Sequence, residues 1–220
     1  MGPLVSSHMQ ITIIYKKRKN TIGLSCDQEE KEVKIIGISG SIVGTKTRIA
    51  VEAVLDKLKA QHTNIEVELI NLGDYQLVFS DGRDYRDYTG DTKTVIDKIM
   101  SADAYIIGTP IFQASIPGTL KNLLDLLPNT VFKNKIVGML ATGGTARHYL
   151  VLEQQLKPIL SYMGAMLVPK YVFVEEKCFQ NKAIIDDEVL LRLAKLGNDT
   201  LHTAAALKEI MKTQESAHLY

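Results

Sequence analysis

An apolar run that leads through a hydroxyl-rich turn into a helix constrains the fold more than any other part of this sequence. The segment reads Val33-Lys-Ile-Ile-Gly-Ile-Ser-Gly-Ser-Ile-Val-Gly-Thr-Lys-Thr47. Nearly continuous apolar character is typical of a strand that is covered on both faces, as in a parallel sheet. The segment therefore predicts a strand, a turn and a helix of an α/β fold.

The turn has the composition of a phosphate site. Gly40 and Gly44 let the backbone approach an anion closely, and a helix that begins near Thr45 directs N–H groups to the same place. The hydroxyl donors are Ser39, Ser41, Thr45 and Thr47. The turn therefore predicts a site for a phosphate monoester, and the alternative is an ordinary strand-to-helix turn with a Ser/Thr cap.

Spacing excludes two well-known phosphate loops. A Walker A loop carries glycine directly before its lysine, whereas Thr45 stands before Lys46. The dinucleotide fingerprint G-x-G-x-x-G fails because Ser41 and Ile42 follow Gly40. A turn rich in Ser and Thr is instead typical of the flavodoxin-like folds that bind the terminal phosphate of FMN.

Five apolar runs predict strands, and helical patterns separate them. The predicted strands are 33–39, 65–72, 104–109, 135–141 and 166–174, and the predicted helices are 47–61, 92–101, 118–127, 146–163 and 186–214. Alternation at this spacing predicts a doubly wound α/β fold, and five strands with the phosphate turn after the first favour the flavodoxin-like kind. We expect a five-stranded parallel sheet in the order 2-1-3-4-5 with helices on both faces. The loops after strands one, three and four should then line one site at the carboxyl ends of the strands.

Composition excludes several classes of function. The net charge of +1 and the isoelectric point near 7.7 give no reason to expect nucleic acid or an anionic membrane as a partner. Cys26 and Cys178 have neither metal-site spacing nor a disulfide framework, which suits a reducing cytoplasm. No segment reaches the roughly 18 consecutive apolar residues of a membrane span. We expect a cytoplasmic protein without a metal site.

The segment after the third predicted strand carries the most specific motif. It reads Gly108-Thr-Pro-Ile-Phe-Gln-Ala-Ser-Ile-Pro-Gly-Thr-Leu-Lys-Asn-Leu-Leu-Asp125. It resembles the NADPH-dependent FMN reductase family, whose members show a Thr-Pro segment, an aromatic residue and then Ser-x-Pro-Gly-x-Leu-Lys-Asn before a helix. Ala141-Thr-Gly-Gly-Thr145 and Gly40-Ser41 agree with this pattern. Asp125-Leu-Leu-Pro128 and Leu140-Ala-Thr-Gly-Gly-Thr145 are most similar to the reductases that supply reduced FMN to alkanesulfonate monooxygenases.

The resemblance implies three groups of FMN-binding residues. They are Ser41, Thr45, Lys46 and Thr47 for the phosphate, with Ser39 as a further candidate; Pro110, Ile111, Phe112 and Gln113 along the isoalloxazine ring; and Thr142, Gly143, Gly144 and Thr145 at the pyrimidine end. Reduction of the flavin places negative charge near N1, where backbone N–H groups of a Gly-Gly turn can point. The family's hydride passes from the nicotinamide to flavin N5 by positioning, so no catalytic acid or base is implied.

One departure from the family pattern concerns charge, and it bears on which cations could hold a phosphate. Ile42 and Val43 stand where the family commonly has an arginine, which makes Lys46 the replacement cation. For the 2′-phosphate of NADPH the candidates are Arg83, Arg86 and Arg147. The first two belong to the polar, aromatic loop 81–88. This loop is either a surface connection, or a lid or subunit contact.

The sequence also predicts a domain organisation. Residues 1–32 are expected to comprise an expression-vector remnant, ending before Met9, and an N-terminal arm without a functional account. Residues 33–180 are predicted to form the flavodoxin-like FMN-binding domain, and residues 181–220 a helical extension of it. A homodimer or homotetramer is expected.

The function implied is that of a cytoplasmic NAD(P)H-dependent FMN reductase, with FMN and NADPH as its small-molecule partners. Reduced flavin would pass to a flavin-dependent monooxygenase or another acceptor. One alternative is a quinone or azo reductase that holds FMN tightly. The other is a flavodoxin-like electron carrier without a nicotinamide site, which the near-neutral charge disfavours because such carriers are usually acidic.

Overall fold

In the computed structural model, strands and helices alternate through the described residues, 33–217. The strands are β1 (Val33–Ser39), β2 (Ile65–Asn71), β3 (Ala104–Pro110), β4 (Ile136–Gly143), β5 (Met166–Leu167), β6 (Val172–Glu175) and a hairpin of β7 (Phe179–Gln180) with β8 (Ala183–Ile184). The helices are α1 (Lys46–Gln61), α2 (Gly90–Met100), α3 (Gly118–Leu126), α4 (Lys157–Tyr162) and α5 (Asp187–Ala217). The expectations for residues 1–32 lie outside the described residues.

The main sheet is parallel and has the order β2-β1-β3-β4-β5, which confirms the predicted fold. Its register places Ser39 of β1 opposite Gly108 of β3, and Pro110 of β3 opposite Thr142 of β4. The carboxyl ends of these three strands are therefore neighbours. The loops that follow them meet along one edge of the sheet.

The fifth position of the sheet differs from the predicted single strand 166–174. Two short strands, β5 and β6, both pair with β4, and residues 168–171 separate them. Pro169 lies in this interruption and has no N–H to donate to a neighbouring strand. The prediction of one continuous strand is therefore wrong, although both pieces run parallel to β4.

The predicted helix 146–163 is also less regular than expected. A 3₁₀ turn at Ala146–His148 comes first, and a π-helical turn at Leu152–Leu156 leads into α4. Pro158 cannot donate to the carbonyl four residues earlier, and the wider turn lies directly before it. One uninterrupted α-helix over this range was the wrong prediction.

Each face of the sheet carries its own core. Ile36 and Ile38 of β1 pack with apolar residues of α2, α3 and α4, whereas Ile35 packs with residues of α1 and α5. Alternation of side chains along the strand explains this division. Helix α5 thus packs on the same sheet as the rest of the chain. The domain boundary at residue 180 stays a prediction.

Asn122, the last residue of the Lys-Asn motif, attaches a loop to α3. Its Oδ1 accepts the N–H of Ser80 at 3.0 Å, and its Nδ2 donates to the carbonyl of Val78 at 2.9 Å. We expect Asn122→Ala to lower the free energy of unfolding by about 1 kcal/mol, because both backbone groups lose a partner. Urea unfolding measures the loss, and amide exchange should accelerate at residues 78–80. Asn129→Ala, at an exposed asparagine of the loop after α3, is the control; an equal loss there would contradict the assignment.

Candidate functional site

A cavity of about 360 Å³ lies at the carboxyl ends of β1, β3, β4 and β6. Its volume falls within the range of roughly 300–1,000 Å³ that is usual for small-molecule sites. It is lined by Val43, Gly44, Thr45, Lys46, Thr47, Pro110, Ile111, Phe112, Thr142, Gly143, Gly144, Val174, Glu176 and Phe179. The cavity therefore joins the three loops that the sequence singled out.

The end of the cavity formed by the first turn suits an anion. Thr45 caps α1 without a side-chain hydrogen bond, and the first turn of the helix contains no acidic residue. The first N–H groups of an α-helix have no intrahelical acceptor, and the helix dipole places partial positive charge there. Gly44 has φ = +74°, a left-handed conformation that favours glycine, and it leaves open space where a side chain would stand.

A pair of buried hydroxyls connects this turn to β4. The Oγ1 atoms of Thr47 and Thr142 are 2.7 Å apart, and either can be the donor. Two hydroxyls carry two protons, and their mutual hydrogen bond uses only one. The pair can therefore donate the second proton to a ligand in the cavity.

The apolar wall of the cavity is a short, tightly closed loop. Phe112 and Ser115 exchange two backbone hydrogen bonds of 3.0 Å each, which close a two-residue turn. Gln113 and Ala114 at its tip have φ of 48° and 57°. Such angles are costly for residues other than glycine, and turns of this geometry normally contain Asn or Gly. The loop thus presents Pro110, Ile111 and a half-exposed Phe112 to the cavity in one fixed arrangement.

The third side of the cavity is the Gly143-Gly144 segment at the end of β4. A Cβ on Gly143 would come within 2.8 Å of Cζ of Phe173, so a side chain there would require that ring to shift. The segment consequently presents backbone rather than side chains to the cavity. Backbone N–H groups in this position can stabilise negative charge on a ligand.

Four of the predicted flavin contacts do not line the cavity. The hydroxyl of Ser39 is buried and has no hydrogen-bond partner among the described residues. The hydroxyl of Ser41 donates to the carbonyl of Val43 at 2.6 Å and accepts its N–H at 3.2 Å, which shapes the turn from within. Gln113 and Thr145 are exposed beside the cavity. Their roles stay predictions.

The sequence assigned no role to Val174, Glu176 and Phe179, which also line the cavity. All three follow or end the strand at the fifth position of the sheet. The rule that ligands bind at the carboxyl ends of parallel strands would have found them if it had been applied to that strand too. Glu176 forms an ion pair with Lys46, and this cation lowers the pKa of the carboxyl group.

The three candidate arginines differ in what surrounds them. Arg83 pairs with Asp81 and lies over the ring of Tyr88, and Arg86 pairs with Asp84. The adjacent guanidinium of Arg86 lowers the pKa of Asp84 to about 2. Arg147 is exposed just beyond the Gly-Gly segment and forms no ion pair with any residue in the described range.

None of the three arginines is among the described residues that line the cavity. Within the described part of the chain, no group of three or more His, Cys, Asp or Glu side chains could hold a metal ion. No helix there is long and apolar enough to cross a membrane.

Comparison with known proteins identifies several close matches. The model of the NADPH-dependent FMN reductase family matches residues 33–179. An NAD(P)H-dependent FAD/FMN reductase of Geobacillus thermodenitrificans is 45% identical over 177 residues, which cover 80% of this chain and 96% of that protein. An NADH-dependent FMN reductase, SfnF, of Pseudomonas fluorescens is 30% identical over 164 residues, with 74% of this chain and 87% of that protein covered.

Among solved structures, the apo form of the NADH:FMN oxidoreductase EMOB superposes with a TM-score of 0.63. It is 29% identical in sequence, and the match covers 79% of this chain and 89% of that chain. The matching relatives thus include proteins named for NADH and for NAD(P)H. The family match extends from β1 into β7 and so includes every segment that lines the cavity.

Proposed function

Because the chain belongs to the NADPH-dependent FMN reductase family, we propose that it is an NAD(P)H-dependent FMN reductase. The observation that carries this function is a single cavity with two different ends. At one end are hydroxyls and the start of α1, whose N-cap side chain forms no hydrogen bond with the helix, and at the other end is an apolar wall. A ligand with a phosphate and a large planar ring joined by a flexible chain needs both an anion site and an apolar surface. FMN has both parts.

The residues around the cavity fit FMN. The N–H groups at the start of α1, with Thr45, Thr47 and Lys46, would hold the phosphate. The ring would lie against 110–112, and the backbone at 143–144 would face its pyrimidine edge. When bound there, FMN supplies an acceptor for the hydride of a reduced nicotinamide.

The protein's own contribution is to position the two reactants. Among the described residues that line the cavity, the ionisable side chains are Lys46 and Glu176, and they pair with each other. Hydride transfer from the nicotinamide to the flavin requires neither of them as a general acid or base. Holding the reactants close together in the right orientation can lower the activation barrier substantially.

The proposal is tested by steady-state oxidation of NADPH and NADH with FMN, FAD, riboflavin and a quinone compared side by side. We expect nicotinamide oxidation that depends on added flavin, with FMN used best because riboflavin lacks the phosphate. The protein should then be largely colourless as isolated. Nicotinamide oxidation with a quinone by a yellow protein, without added flavin, would instead identify a quinone or azo reductase. Absence of nicotinamide oxidation with every acceptor would contradict the proposal.

We further propose that the reduced flavin passes to a flavin-dependent monooxygenase, as the similarity of 125–128 and 140–145 to the alkanesulfonate-linked reductases suggests. A cytoplasmic location suits this role, because NADPH is abundant there and the chain has only two cysteines. Coupled oxidation of an alkanesulfonate by a purified monooxygenase tests the transfer. The sulfite released is compared with the amount released when chemically reduced FMN is supplied at low concentration instead. If the two amounts are equal, the reductase does not serve a dedicated monooxygenase partner.

The assembly proposed is a homodimer or homotetramer. A second, mainly apolar depression of about 460 Å³ lies between α3 and α4, and Tyr162 beside it is 77% exposed. Together with the aromatic loop 81–88, it offers a surface for a second copy. We expect light scattering at micromolar concentration to give a mass of at least two chains. A monomeric mass with full activity would refute this assembly.

A further inference from the structure

The cation of the cavity is already paired with a carboxylate of the same chain. Lys46 begins α1, and Glu176 follows β6, 130 positions later in sequence. Both residues line the cavity, and their side chains form an ion pair there. Glu176 thus contacts the group that the family resemblance assigns to the flavin phosphate.

The second oxygen of the same carboxylate lies near the Gly-Gly segment. The Oε2 atom of Glu176 is 3.9 Å from the point where a Cβ on Gly144 would stand. The negative charge of Glu176 therefore faces two regions that are otherwise suited to an anion, the first turn of α1 and the backbone at 143–144. A phosphate brought into the cavity would meet this charge at close range.

We propose that Glu176 competes with the FMN phosphate for Lys46 and thereby sets how tightly FMN is held. The inference rests on the proposed function and adds a specificity-determining residue to it. Weaker binding favours FMN as an exchangeable substrate over FMN as a permanently bound group. Riboflavin, which has no phosphate, escapes the competition.

The exposure of the two side chains makes such a competition feasible. Lys46 is 44% exposed and Glu176 is 64% exposed, so solvent screens their attraction. A dianionic phosphate that also receives N–H groups from α1 can displace a single, half-solvated carboxylate. The pair is therefore strong enough to affect FMN binding and too weak to prevent it.

The test measures dissociation constants of FMN and riboflavin by flavin fluorescence for the intact protein, Glu176→Gln and Glu175→Gln. Glu175→Gln is the matched control, because Glu175 is the neighbouring carboxylate and pairs with Lys177 at 3.0 Å outside the cavity. We expect Glu176→Gln to bind FMN about fivefold more tightly at low salt and riboflavin unchanged. The gain should shrink at high salt, where charge interactions are screened.

A double-variant cycle isolates the pair. Lys46→Met should weaken FMN binding. In that background Glu176→Gln should give a clearly smaller gain in FMN affinity, because the cation for which the carboxylate and the phosphate compete is gone. Three outcomes would overturn the inference while leaving the proposed function intact. They are an unchanged dissociation constant of FMN in Glu176→Gln, the same gain in FMN affinity in Glu175→Gln, and an equal gain in riboflavin affinity. Failure of the unaltered protein to bind either flavin would instead overturn the proposed function.

Discussion

Replacing both threonines that line the anion end of the cavity, in the variant Thr45→Val/Thr47→Val, is expected to weaken FMN binding about 100-fold. A hydrogen bond to a charged group is worth about 1.5 kcal/mol or more, and two of them are lost. Valine has nearly the shape of threonine, so the turn and α1 should keep their geometry, although Thr142 loses its hydrogen bond with Thr47. Riboflavin binding should change by less than about threefold, since riboflavin offers these hydroxyls no charged partner. Fluorescence titration with both flavins measures the difference.

Thr119→Val provides the matched control for this variant. The hydroxyl of Thr119 donates to the carbonyl of Gly40 at 3.1 Å, so it contacts the same turn without lining the cavity. Its loss should affect FMN and riboflavin equally. Equal weakening of the two flavins by the Thr45/Thr47 variant would place the phosphate elsewhere.

The fold was predictable because its central strands carry an unusually clear pattern. A parallel strand covered on both faces is buried at nearly every position, and β1 and β3 are buried along their length except at Lys34. The alternation of strands and helices predicted a doubly wound fold, and five strands with the phosphate turn after the first favoured the observed order. The fifth position was harder to predict, because Pro169 interrupts an apolar run whose composition alone reads as one strand.

The location of the site followed from a topological rule, whereas its electrostatics did not. The carboxyl ends of β1, β3 and β4 must meet in this sheet order, so Thr47, Pro110 and Thr142 could be placed together from sequence. The pairing of Lys46 with Glu176 joins residues that are 130 positions apart in sequence. Periodicity and local spacing carry no information about such a contact.

The contacts of the arginine-bearing loop could have been read locally. Asp81 and Asp84 each precede an arginine by two positions, and the structure pairs each arginine with that aspartate. From the sequence alone, Arg83, Arg86 and Arg147 are all candidates for the phosphate of NADPH. Their surroundings now separate them, because a guanidinium that already holds a carboxylate must lose it before it can bind a phosphate.

Arg147→Ala is therefore the substitution expected to remove a preference for NADPH. We expect the unaltered protein to favour NADPH over NADH, and the variant to lower that ratio of kcat/KM about tenfold by losing one charge-assisted contact with the 2′-phosphate. Arg83→Ala and Arg86→Ala are the matched controls and should change the ratio by less than about twofold, because their charges are already neutralised within the loop. Arg147→Lys should fall between, since lysine keeps the charge and loses the planar, bidentate geometry. If the unaltered protein uses both donors equally, or if Arg147→Ala preserves the ratio, Arg147 does not contact the phosphate. A large drop of this ratio in either control would instead show that the loop 81–88 contacts the phosphate. The arginine concerned would then have to leave its aspartate in order to bind the nucleotide.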